Sequence, residues 1–119
     1  MKERRRVKRR YLLYYVRVFD ADSRQQIGNL VDITTIGAMI LSENPIPEKK
    51  SLHMRIELSD DVADKPFMDL KVRAQWCHPD IDPSLYNIGL EIEQIAKDDI
   101  KIIKKIVERY GFRDNKLEK

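Results

Sequence analysis

Seven of the first ten residues, MKERRRVKRR, are Lys or Arg, and five of those are arginines. A loose anion surface is served as well by lysine, whereas arginine brings a planar fork of donors. Arg5 and Arg9 stand in an R-x-x-x-R spacing with Arg4 just before them, and Arg6 and Arg10 repeat the spacing one residue later. A guanidinium binds phosphate bidentately, donates to the O6 and N7 pair of guanine, and stacks on a base. A second chemistry-bearing stretch is VDITTIGAMI, residues 31–40, in which Asp32, Thr34 and Gly37 are spaced D-x-T-x-x-G. A carboxylate in so apolar a run requires donors, and guanine N1–H and N2–H₂ supply two. Thr34 offers a hydroxyl to a phosphate, the turn can aim backbone N–H groups the same way, and Gly37 permits a positive φ or the close approach of a ligand. Each stretch also has an ordinary reading. The arm reads as a solvated basic tail, and the second stretch as a β-turn satisfied by its own backbone.

These groups need a scaffold, and the hydrophobic pattern supplies one. Residues 11–19 (YLLYYVRVF), 27–33, 37–42, 51–58, 67–77 and 85–92 read as strands rich in β-branched and aromatic types. Residues 51–58 alternate with period two, placing Leu52, Met54, Ile56 and Leu58 on one face. Leu70, Val72 and Ala74 alternate against Lys71 and Arg73 in the same way. The connections ENPIPEKK, SDDVADKP and HPDIDPS are polar and punctuated by proline. The period then changes. In KDDIKIIKKIVERYGF, Ile100, Ile103, Val107 and Tyr110 form one helical stripe, widened by Ile102 and Ile106. Asp98 or Asp99 is expected to cap the start, and Gly111 to end the helix in the left-handed region. The expected fold is mainly β: a small six-stranded antiparallel barrel with a C-terminal helix at about 97–110 and a flexible basic arm. The arm is residues 1–10, the barrel with its helix 11–112, and 113–119 a frayed tail.

Composition narrows the function. The 119 residues are enough for one domain with its own core. The net +3 divides into +6 on residues 1–10 and −3 on the rest, so the basic character is local. The lone Cys77 supports neither a disulfide nor, by itself, a zinc site. The basic start is followed by too short an apolar run for a signal core or a membrane span, and a cytoplasmic protein is expected. No Gly-rich phosphate loop, G-x-S-x-G or H-E-x-x-H is present, nor a convincing catalytic carboxylate pair, so no enzyme is expected. His53 falls on the polar face of its strand. Asp60, Asp61 and Asp64 lack the spacing of a calcium loop. Trp76, the single tryptophan, reads either as a plug of the barrel end or as an aromatic wall beside a base.

The arginine cluster before a barrel, followed by D-x-T-x-x-G opening the strand GAMILS, and later by Ile88-Gly89-Leu90-Glu91 and an amphipathic helix, resembles the PilZ domain family. The resemblance runs over about residues 3–110 and implies a stand-alone domain that binds the bacterial second messenger cyclic di-GMP. It implies Arg5 and Arg9 as the arginine pair, with Arg4 as the doubled arginine. They would hold phosphates and guanine O6 and N7 and stack on a guanine. Asp32 would read a Watson–Crick edge, and Thr34 and Gly37 would form the turn; Trp76, on its aromatic-wall reading, would stand beside the base. The family most often has serine where Thr34 stands here. No cofactor or metal is expected, and the partners are the nucleotide and a protein of unknown identity. Ligand would order the arm, and the altered surface would be read by that partner. Two alternatives belong to other classes: a PilZ-like interaction module that binds no nucleotide, and a basic-arm nucleic-acid binder, which the acidic body disfavours.

Overall fold

The barrel forms because its strands carry apolar side chains at every second position. Met54 and Ile56 are fully buried on β4 (Ser51–Glu57), whereas His53 and Arg55, which alternate with them, face out. Met68, Leu70, Val72 and Ala74 do the same on β5 (Phe67–Pro79). The computed structural model describes residues 16–111, so Arg4, Arg5 and Arg9, the rest of the basic arm and the tail expected at 113–119 lie outside the described residues. The other strands are β1 (Arg17–Asp20), β2 (Gln26–Ile33), β3 (Gly37–Ser42) and β6 (Tyr86–Gln94). They close in the order β1-β2-β3-β6-β5-β4, all neighbours antiparallel. This is the six-stranded antiparallel barrel that the alternation led one to expect. Closure leaves no strand edge to pair with another chain.

Two one-residue bulges set the outer wall. On β2, Leu30 pairs with Ile40 and Asp32 with Met39, which leaves Val31 as the extra residue. On β5, Ala74 pairs with Leu90 and Trp76 with Gly89, which leaves Gln75 extra. Each insertion reverses the in-out phase of the residues after it. Leu30 and Ile33 both point into the core, so Asp32 between them is turned outward. Unbroken alternation from Leu70, Val72 and Ala74 would drive Trp76 into the core. With the bulge, Cys77 packs against the core instead and Trp76 stays outside. The expectation that Trp76 plugs the barrel end is therefore corrected.

The helix α1 (Lys97–Ile106) follows β6 and closes one end of the barrel, where Ile103 and Ile106 join the core. The expectation about its start fails. Ala96 is the N-cap and makes no side-chain capping bond. Asp98 and Asp99 lie in the first turn, where they still face the positive end of the helix dipole. At the other end the helix continues as a π-helical turn, Val107–Gly111. Two ion pairs tie the helix to the acidic β4–β5 loop. Lys65 Nζ lies 2.7 Å from Oδ1 of the buried Asp99, and Arg109 Nε lies 2.9 Å from Oδ2 of Asp61. The loop is no idle connection, because its Val62 is buried in the core.

Asp99 is only 4% exposed, so removing its cation leaves a desolvated carboxylate. Lys65→Ala is expected to lower the unfolding free energy in urea by about 2 kcal/mol. A loss below about 0.5 kcal/mol would class the pair with ordinary surface salt bridges. The Asp61 pair predicts a pH effect. The Ser59 hydroxyl, and then the Arg109 guanidinium, hold the Asp61 carboxyl down at about 2 against an ordinary 3.8. A carboxyl whose folded-state pKa is depressed stabilises the fold above its unfolded value, and the contribution fades as pH falls from 3.8 toward 2. Thermal unfolding of Asp61→Asn should therefore fall short of wild type at neutral pH and converge with it as pH approaches 2.

Candidate functional site

Asp32, Met39, Gly89 and Trp76 form a single cross-strand row on the outer wall. Asp32 pairs with Met39, Met39 with Gly89, and Gly89 with Trp76. Neighbouring strands lie about 4.8 Å apart, so roughly 14 Å separates the ends of this row. A second row runs beside it through Gly37, Glu91 and Arg73. Of the expected site residues, Asp32, Gly37 and Trp76 thus share one wall, and Thr34 lies at its edge in the turn between β2 and β3. The three arginines fall outside the described residues.

The turn is tightly satisfied by its own atoms. The Thr34 hydroxyl accepts from the Ile36 and Gly37 N–H groups, each at 3.2 Å, and donates to the Gly37 carbonyl at 3.3 Å. The Thr34 N–H donates to the same carbonyl at 2.8 Å, and the Ile92 N–H holds the Ile36 carbonyl at 3.0 Å. A hydroxyl has one proton and two lone pairs, and here all three are engaged. For Thr34 to donate to a phosphate, it must give up its bond to Gly37. Gly37 is required for close approach and not for a positive φ. A Cβ there would stand 2.8 Å from the Leu90 carbonyl oxygen of β6.

Asp32 is half-buried, and its Oδ1 accepts the Ile33 N–H at 3.0 Å. That bond fixes the carboxylate at the strand end and turns it to the outer wall. Trp76 leans across Gly89: a Cβ on Gly89 would stand 2.2 Å from Cε2 of the indole. The indole also stacks on His78, with ring centroids 5.0 Å apart and planes at 20°. Next to it, the Gln75 amide donates to Glu91 at 3.0 Å. Gly89 and Glu91 belong to the Ile88-Gly89-Leu90-Glu91 pattern, and their place on this wall gives that pattern a physical reason. The glycine makes room for the indole, and the glutamate lies beside Gly37.

The wall also lies next to the start of the described chain. The Leu30 N–H donates to the Val16 carbonyl at 2.9 Å, so the chain starts β1 beside Leu30, two residues from Asp32. The opposite wall, formed by β1, β4 and β5, neutralises itself. Arg17 pairs with Glu57 and Arg55 with Asp69, each through two hydrogen bonds. The guanidiniums lie over Phe19 and Phe67, respectively. Those bonds to arginine hold Glu57 and Asp69 below the ordinary carboxylate range. Among the described residues no group of three or more His, Cys, Asp or Glu could hold a metal ion. No helix among them is long and apolar enough to cross a membrane.

Comparison with known proteins agrees with this architecture. The chain is similar in structure to the Bacillus subtilis inhibitor of motility, MotI/DgrA, with a TM-score of 0.60 at 15% identity. The likeness covers 79% of this chain and 45% of that one, so this chain spans less than half of the motility inhibitor's length. At that identity the likeness is one of fold. No curated protein sequence matches the chain. The PilZ domain family does match, over residues 3–109, a span that runs from the arginine cluster through the barrel to the end of the helix, and the chain therefore belongs to the PilZ domain family.

Proposed function

We propose that the protein is a receptor for cyclic di-GMP, which it holds between the arginines of residues 1–10 and the outer wall that carries Asp32. The observation that carries this reading is the start of β1 beside Leu30, two residues from Asp32. The segment with a formal +6, residues 1–10, precedes that start in the sequence, and the carboxylate near it is turned outward. A dianionic ligand with two purine bases suits that pairing. Guanidinium forks take the phosphates and guanine O6 and N7, and a carboxylate takes the guanine N1–H and N2–H₂. Arg5 and Arg9, with Arg4, supply the forks in this reading, and Trp76 offers a ring to a base.

The output follows from the same pairing. Ligand bridges the arm and the barrel through charge-assisted bonds, which changes the surface near the β2–β3 turn. A protein partner reads that surface. The motility inhibitor that shares this fold supports a role in a regulatory contact. The protein acts in the cytoplasm as a binding module, without chemistry of its own. One observation favours a second reading, an interaction module that binds no nucleotide: the Thr34 hydroxyl is fully engaged within its own turn.

Isothermal titration calorimetry separates the two readings. Wild type should bind cyclic di-GMP saturably, with GTP and cyclic di-AMP as weak controls. Arg9→Lys keeps the charge and loses the fork, so it should weaken binding by about tenfold or more. Asp32→Ala should weaken it at least as much. No heat and no thermal shift at high ligand excess would leave the interaction module as the reading. The geometry of Trp76 adds a further test. Gly89→Ala must displace the indole, so the tryptophan fluorescence should shift to the red and ligand affinity should fall. An unchanged spectrum would show that Trp76 does not need the glycine.

A further inference from the structure

Met39 is absorbed by neither motif. Ala38 and Ile40, its neighbours on β3, belong to the interior cluster, so Met39 faces the outer wall, where it is half-buried. In register it lies directly between Asp32 on one side and Gly89 on the other. Gly89 has no side chain, and the Trp76 indole lies over it. The next outward position along β3 toward the turn is Gly37, also without a side chain. Met39 is therefore the apolar surface that the wall presents between the carboxylate and the indole.

A purine whose Watson–Crick edge is read by Asp32 extends its ring over the neighbouring strand, about 4.8 Å away. The residue at that position in the row is Met39. A thioether is polarizable and unbranched, adapts to a flat surface, and makes favourable contacts with aromatic rings. A β-branched residue would present methyl groups instead and would conform less readily to the base.

We propose that Met39 is the floor on which a guanine base lies, a ligand contact on the barrel itself that completes the row from Asp32 to Trp76. This rests on the receptor reading above. It assigns the barrel an apolar share of the recognition that the charged groups cannot provide. Charged groups select for an anion and for guanine's edge, while the floor selects for a flat ring.

The experiment is a methyl NMR titration of ¹³C-methyl-methionine protein with cyclic di-GMP, paired with calorimetry. The chain has four methionines, and Met54 and Met68 are fully buried in the core. The Met39 ε-methyl, assigned from the Met39→Leu spectrum, should move upfield under the purine face and show a nuclear Overhauser contact to guanine H8. The Met54 and Met68 methyls should stay in place. In calorimetry, Met39→Leu should bind within about threefold of wild type, Met39→Ala about tenfold more weakly, and Met39→Glu more weakly still. Thermal midpoints of the variants, measured alongside, separate lost contact from lost fold. Wild-type binding with an unmoved Met39 methyl, or with unchanged affinity in Met39→Ala, overturns the floor and leaves the receptor reading standing. Absence of wild-type binding overturns both.

Discussion

The constraint on which the rest of the structure depends is closure of a six-stranded sheet around an apolar interior. Closure sets a register for every strand, and in a sheet the register also decides which face each residue occupies. Two residues that carry the candidate chemistry, Asp32 and Trp76, have the phase of core positions when counted from their own strands. The barrel resolves this with one extra residue before each, Val31 and Gln75. The bulges are the reason that a carboxylate and an indole come to share an outer wall without a polar group entering the core.

The remainder of the molecule supports that wall in two ways. Glycines let the strands and the indole close up: Gly37 lies against the Leu90 carbonyl and Gly89 beneath Trp76. At one end, the helix and the β4–β5 loop complete the core through Ile103, Ile106 and Val62. The loop is held to the helix by the Lys65–Asp99 and Arg109–Asp61 pairs. The opposite wall pairs its own charges, Arg17 with Glu57 and Arg55 with Asp69, and so offers little to an anion. Charge is thus divided by region. The excess positive charge belongs to residues 1–10, and β1 starts close to Asp32.

The β2–β3 turn shows why a motif and its role are distinct statements. Its threonine and glycine recur at the family's spacing, and in this structure both have internal tasks. Thr34 ties the turn together, and Gly37 admits the β6 backbone. The proposed ligand recognition by this wall therefore draws on Asp32 and its row more than on the Thr34 hydroxyl. The rigid turn holds the end of β2, and with it the carboxylate, in place.

Much of the fold was legible in the chain. Period-two alternation marks β4 and the first part of β5, the change to a helical period marks α1, and the arginine spacing with D-x-T-x-x-G points to the family. These signals are local, because alternation and spacing follow from the geometry of a single strand or helix. What the tertiary structure decided lies where two strands must agree. The bulges at Val31 and Gln75 exist only as mismatches between partners, so a single strand read alone sends Trp76 inward. The helix start fell to Ala96, and Asp99 was drawn instead to Lys65 across the fold. Residue order alone thus determined the elements, the family and the asymmetry of charge. The facing of Asp32, Met39 and Trp76 was decided by pairing, since only a partner strand can establish which residue of a run is the extra one.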